Sequence, residues 1–197
     1  MWTRTMFGTD LYHVISWFFM YCILGWLVES IYMSICEKRI INRGFMLGPW
    51  CPIYGFGALM VYFALKPFAA NYAVLYVMGS LVATVFEFFV AAFMQMLFGK
   101  VWGDYSEKPF NFRGVLCLES TIAWGFYTLF MFLFLQRGIM YLTDLIPFQI
   151  GTMVLPVIMT VAALDLLTHI LIAKKEYMPN RIENALEVIA NIKPRHR

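Results

Sequence analysis

Charge is what this sequence has least of. Lysine, arginine, aspartate and glutamate make up only 14% of its 197 residues, while 61% are hydrophobic and 18% aromatic. A soluble domain carries about 25% charged residues. So little polar surface cannot cover a water-exposed globule, and the mean hydropathy of +0.70 agrees. Cysteine is scarce too. Cys22, Cys36, Cys51 and Cys117 form no C-x-x-C pair and no disulfide framework, and read as free thiols packed in helices. The G-x-x-x-x-G-K-[ST] phosphate loop is missing, so no ATPase resides in this chain. No ligand spacing supports a metal site, and neither a cofactor nor a nucleic-acid partner is expected. Before the first apolar run the only cation is Arg4, and no small-residue cleavage site follows it. The start therefore reads as an uncleaved first span, not a removable signal peptide.

What the sequence does have is long apolar runs. Five stretches, roughly 12–35, 53–68, 71–97, 115–136 and 148–173, read as spanning helices, all but the second near the ~20 residues a bilayer requires. The expected fold is all-α: a polytopic transmembrane helical bundle of about five spans. The second span is short and follows Gly48-Pro49-Trp50-Cys51-Pro52, which points to a broken or re-entrant entry. Pro147 and Pro156 predict a kink in the fifth span.

Cation placement orients the bundle. With the N-terminus outside, twelve of the fifteen Lys and Arg face the cytoplasm: Lys38, Arg39 and Arg43; Lys100, Lys108 and Arg113; and Lys174, Lys175, Arg181, Lys193, Arg195 and Arg197. Arg4, Lys66 and Arg137 stay outside. The positive-inside rule then predicts N-out/C-in.

The sequence also echoes itself. Arg43-Gly44, Tyr54-Gly55-Phe56 and Leu59 recur 70 positions later as Arg113-Gly114, Trp124-Gly125-Phe126 and Leu129. Upstream, Glu29 corresponds to Glu87, the loop of the second copy being 12 residues longer. Two units, about 12–68 and 71–136, would form a tandem repeat of a two-helix unit, parallel about an axis along the membrane normal. Residues 1–177 then make the transmembrane domain. Residues 178–197 make a cytoplasmic basic tail with a short amphipathic helix presenting Ile182, Leu186, Ile189 and Ile192. That helix suits the inner leaflet or a partner, and its basic ends suit anionic headgroups.

Four carboxylates, Glu29, Glu87, Glu119 and Asp165, fall within the spans, in the cytoplasmic half by this topology. A charge at a helix centre costs ~2.5–3.5 kcal/mol even on the lenient insertion scale, so each needs a partner or water. Gly25 lies one turn before Glu29, Gly79 and Ala83 precede Glu87, and Ala123 follows Glu119. Small residues mark helix contact faces, which turns the carboxylates inward. Arg43 and Arg113, at the mouths of the following helices, are the expected ion partners. The result is either a polar site or ion path, or fold-locking ion pairs. Asp165 and His169 share a face of the fifth helix, in the spacing of a proton relay or a structural hydrogen bond. In the third loop, Trp102, Asp104, Tyr105 and Asn111 combine interface-belt rings with hydrogen-bonding groups. They fit an ordered interfacial loop or a lid over the cytoplasmic mouth.

Two blocks carry a family likeness. The first holds Gly25-Trp26-Leu27-Val28-Glu29, Asn42-Arg43-Gly44-Phe45 and Gly48-Pro49-Trp50-Cys51-Pro52-Ile53-Tyr54-Gly55-Phe56-Gly57. The second holds Trp102, Asp104-Tyr105-Ser106, Pro109-Phe110-Asn111, Arg113-Gly114, Cys117-Leu118 and Trp124-Gly125. Together they resemble the ABC-transporter type IV family of CmpB-like membrane proteins. The resemblance implies a multi-pass protein of the bacterial cell membrane, a permease-type transporter component beside a separate ATPase subunit. It brings no substrate and no catalytic residue. Two other functions stay open: a membrane-embedded enzyme or binding protein for a lipid or lipid-linked substrate at the inner leaflet, and a non-catalytic assembly subunit. An enzyme is the less favoured of these, and a homo-oligomer is left open.

Overall fold

The computed structural model describes residues 2–6, 8–42, 46–98 and 105–192, with side chains described as far as 96 in the third helix and 172 in the last. A small hairpin of β1 (Thr5–Met6) and β2 (Thr9–Asp10) opens the chain. It leads into α1 (Leu11–Glu37), whose first turn is capped by Asp10: one carboxylate oxygen accepts from the His13 backbone N–H at 3.0 Å. That bond satisfies one of the four donors a helix start leaves open. Lys38, in the left-handed region at φ 52°, ends the helix.

After a loop come α2 (Pro52–Leu65), a 3-10 turn (Lys66–Phe68) and α3 (Tyr72–Phe98). Proline at the first position of α2 is already set to a helical φ and has no N–H to waste. The Asn71 side chain caps α3 through the N–H groups of Ala73 and Val74. A second hairpin, β3 (Asn111–Phe112) and β4 (Leu116–Cys117), precedes α4 (Leu118–Phe130). From α4 the chain passes without interruption through a π turn (Met131–Leu135) into α5 (Gln136–Asp144). Finally α6 runs from Phe148 to Ile192, 45 residues in one helix. No break separates the last span from the tail, so the short tail helix expected from sequence is the end of α6.

Four segments are long and apolar enough to cross a membrane: Leu11–Glu37, Tyr72–Met96, Leu118–Asp144 and Phe148–Ile172. Helix α2, 14 residues, is about 21 Å long at 1.5 Å per residue, short of the ~30 Å hydrocarbon core. The exterior is apolar nearly throughout: Val28, Ile35, Phe89, Phe134, Met153 and Leu164 are all exposed. This is the surface expected of helices bathed in lipid, not water.

The core lies between α1, α2, α3 and the π segment. Trp17, Tyr21, Val61, Tyr62, Leu65, Leu75, Ala83, Met131 and Ile139 form one buried cluster. Aromatic contacts lock it: Trp17 meets Tyr62 edge-on at 5.9 Å and 89°, and Tyr62 meets Phe132 tilted at 5.5 Å and 37°. At the hairpin end, His13 is held between Asp10 (2.7 Å) and Asp144 (3.1 Å), which ties α1 to the end of α5.

Candidate functional site

The loop after α1 turns back along its own helix. Ser34 binds Ile41 through the Ile41 N–H at 3.0 Å, Trp26 Nε1 donates to Asn42 at 2.6 Å, and the Cys51 N–H reaches the Cys22 carbonyl at 3.0 Å. Each contact lies further from the end of α1 than the one before. Since α1 continues fifteen residues past Cys22, α2 begins about 22 Å inside that end. The entry to α2 is thus re-entrant. The proline pair at 49 and 52 makes this possible, since helix cannot form through it.

Glu29 sits beside this entry, half-buried, and accepts from the Tyr54 hydroxyl at 2.6 Å. Between α3 and α4, Glu87 accepts from Trp124 Nε1 at 2.9 Å and the Ser120 hydroxyl at 3.4 Å. The Tyr105 hydroxyl lies close enough to interact with the same carboxylate. Burial first, and then the Glu87 charge, raise the Tyr105 phenol above its ordinary range.

Several residues around the two glutamates occupy matching positions. Aligning Glu29 with Glu87 sets Phe18 against Tyr76 and Cys22 against Ser80. The 70-residue offset sets Tyr54 against Trp124, Gly55 against Gly125 and Phe56 against Phe126. The aligned donors, Tyr54 and Trp124, bind the aligned carboxylates. Gly55 packs so closely on Phe18 and Cys22 that a Cβ would overlap both, and Gly125 packs in the same way on Tyr76 and Ser80. Phe18 meets Phe56 edge to face at 4.8 Å and 65°, as Tyr76 meets Phe126 at 5.1 Å and 71°.

Asp165 of α6 adds a third carboxylate. Its oxygens accept from the backbone N–H of Leu47 (3.2 Å), the backbone N–H of Gly48 (2.8 Å) and Trp50 Nε1 (3.0 Å). His169 Nδ1 lies 3.0 Å from the same carboxylate, with the two side chains only 12% (Asp165) and 18% (His169) exposed. The pair read from sequence as a relay or a structural bond is thus the anchor that ties the re-entrant loop to the last helix.

Other expected residues fall elsewhere. Glu119 lies in the first turn of α4 on the surface, paired with Lys108 at 2.8 Å, the side chains 72% and 50% exposed respectively. That hydrogen bond raises the Lys108 pKa, but exposed pairs contribute little. The expected Glu87–Arg113 pair is not formed. Among the described residues Arg113 has no carboxylate partner and stands over the Phe112 ring at 5.5 Å. Its left-handed φ of 55°, followed by Gly114 at 68°, reverses the chain into β4, and Glu87 takes neutral donors instead. Asn111 organises this loop: its amide donates to Lys108 O and Ser106 O, and its carbonyl accepts from the Gly114 N–H. Arg43, Trp102 and Asp104 lie outside the described residues.

The donors Tyr54, Trp124, Trp50 and Ser120 were not legible as site residues. Tyr54 and Trp124 stand out in the sequence as repeat markers, and an aromatic N–H or O–H aligned behind a repeated glutamate is the signal that could have found them. Among the described residues no cluster of three His, Cys, Asp or Glu is arranged to hold a metal ion. What the arrangement can do is hold charge. Three carboxylates, each costly in an apolar medium, are stabilised by aimed donors and tie neighbouring segments to α1, α3 and α6.

A family model described as "Putative ABC-transporter type IV" matches residues 16–170 of the chain. That stretch includes all three carboxylates and every donor named for them. No curated protein and no solved structure matches the chain.

Proposed function

The chain belongs to the ABC-transporter type IV family, and on that premise we propose that it is the membrane-embedded component of a transport assembly whose nucleotide hydrolysis is supplied by a separate subunit. In this reading the chain crosses the bacterial cell membrane five times, N-out and C-in. Helix α2 is a short crossing completed by its re-entrant entry and the Lys66–Phe68 turn. The units 12–68 and 71–136 are parallel repeats, 148–173 is the fifth crossing, and the basic tail 178–197 meets anionic headgroups on the cytoplasmic side.

Glu29, Glu87 and Asp165 form a polar ring in the cytoplasmic half, with Arg43 and Arg113 on the loops at its mouth. The observation that carries this reading is the matched pair of latches, Tyr54 on Glu29 and Trp124 on Glu87, in matched surroundings. Intramembrane carboxylates are retained against a cost of ~2.5–3.5 kcal/mol each, and here each secures a segment that blocks the bundle from one side. Release of a latch would loosen α2 from α1 or α4 from α3 and open a polar path between the units.

The test is to isolate the chain in lipid nanodiscs from its own cells and assay co-isolated ATP hydrolysis, in the native form and in Glu29→Gln and Glu87→Gln. The proposal expects an ATPase to accompany the native chain, and both variants to keep their fold and partner while losing most of the stimulated hydrolysis. An isolated chain with no ATP-hydrolysing partner, or variants with undiminished hydrolysis, would contradict it.

A further inference from the structure

Toward the hairpin end of the bundle, away from the three carboxylates, lie two buried donors without partners. Gln136 is 2% exposed and Trp17 4%. The Tyr21 hydroxyl donates to Gln136 Oε1 at 2.7 Å, but Gln136 Nε2 and Trp17 Nε1 have no hydrogen-bond partner among the described residues. Turning the carboxamide over changes only which of its ends meets Tyr21 and which stays open. Two further buried polar atoms without partners, the Tyr12 and Ser80 hydroxyls, are pressed against Gly151 and Gly125 and are accounted for by close packing.

Trp17 and Tyr21 lie one turn apart on the same face of α1. Trp17 packs on Tyr62 of α2, and Tyr62 on Phe132 of the π segment. Ile139, one turn beyond Gln136, belongs to the same buried cluster as Trp17. Gln136 itself follows directly on the π turn, its own N–H reaching back five residues to the Met131 carbonyl. A π turn gives up regular hydrogen bonding to insert a residue, and is frequently found at functional sites. Here it brings Gln136 to Tyr21 where α1 and α2 meet the π segment. Leaving an indole and a carboxamide without partners inside a membrane bundle is costly. An indole N–H can only donate, so what it lacks is an acceptor. The side chains that define the place, Trp17, Tyr21, Tyr62 and Gln136, are uncharged.

We propose that Trp17, Tyr21 and Gln136 form a binding site for a small uncharged oxygen ligand, either a water molecule or a hydroxyl or carbonyl oxygen of a solute. The Trp17 indole N–H and the open end of the Gln136 carboxamide hold that oxygen between them. The site is independent of the cytoplasmic ring, and gives the bundle a polar station in its other half.

The experiment is nuclear magnetic resonance of the full chain carrying 15N-tryptophan in lipid nanodiscs, with the Trp17 indole signal assigned by its loss in Trp17→Phe. The expected indole proton lies downfield, in the hydrogen-bonded range, and moves upfield in Gln136→Met. A cross-peak to the water resonance identifies the oxygen as water. Cross-peaks to non-exchangeable protons that vanish after exhaustive dialysis identify it as a solute's. Should Gln136→Met not fold, Tyr21→Phe, which frees the carboxamide without removing it, is expected to shift the same signal. An indole proton at the free position in the native chain, or a downfield one that no variant moves, would overturn the proposal.

Discussion

Asp165→Asn isolates the contribution of the anchor between α6 and the re-entrant loop. In the native chain one carboxylate oxygen accepts from the Leu47 N–H, with His169 Nδ1 3.0 Å away, and the other accepts from the Gly48 N–H and Trp50 Nε1. Asparagine keeps one accepting oxygen. Turned to serve Gly48 and Trp50, its NH2 faces the Leu47 N–H, and two donors confront each other. Hydrogen bonds to a charged group are worth about 1.5–3 kcal/mol each, and an unsatisfied buried donor costs about 1–3 kcal/mol. The Asp165 side chain is only 12% exposed but Leu47 is 74% exposed, so the low end of each range applies. At the low end of each range, one bond lost at about 1.5, one donor stranded at about 1 and two bonds weakened by about 0.5 each sum to roughly 3.5 kcal/mol. The measurement is equilibrium unfolding in mixed micelles, with thiol labelling of Cys51 in a background where Cys22, Cys36 and Cys117 are replaced. The loss of stability should come with faster labelling of Cys51, because the freed loop carries that residue. A variant with native stability and native Cys51 labelling would refute the anchoring role.

The paired latches make equal predictions. Tyr54→Phe and Trp124→Phe each remove one donor to a carboxylate, so each should destabilise by about 1.5–3 kcal/mol in the same unfolding assay; an effect confined to one of them would break the correspondence. Gly55→Ala and Gly125→Ala should both destabilise, by about 1–3 kcal/mol as overpacking does, since the added Cβ meets Phe18 and Cys22 in one case and Tyr76 and Ser80 in the other. The Tyr105 latch is pH-dependent. Its phenol pKa is raised in the folded chain, so its contribution is complete below the unfolded value of about 10 and is lost as pH rises beyond it. A native-minus-Tyr105→Phe stability difference that is flat below pH about 10 and shrinks above it would meet this expectation.

Much of the architecture follows from local rules visible in the residues. Apolar runs mark the long helices, and Pro49 and Pro52 mark the re-entrant entry before α2. Tyr-Gly-Phe and Trp-Gly-Phe stood out in the sequence, and the glycine of each packs closely on the preceding long helix. The partners of the carboxylates were harder to read. Arginines at Arg43 and Arg113 looked like natural counter-ions for Glu29 and Glu87. A left-handed φ at Arg113, which no spacing reveals, turns that side chain onto Phe112, and Glu87 takes neutral donors from α4 and the loop. Asp165 likewise showed only its neighbour His169. Its three other partners lie more than a hundred positions away, where only tertiary packing brings them.

The central claim is that two parallel units, each crossing the membrane twice, build this bundle, and it turns on whether α2 crosses. Single cysteines at Lys38→Cys, Lys66→Cys, Lys108→Cys and Arg137→Cys, in a chain otherwise without cysteine, can be labelled in intact cells with a membrane-impermeant maleimide. The account predicts that positions 66 and 137 label from outside, while positions 38 and 108 label only after permeabilisation. Labelling of positions 38 and 66 from the same side would mean that α2 does not cross, and would contradict the parallel repeat and the topology built on it.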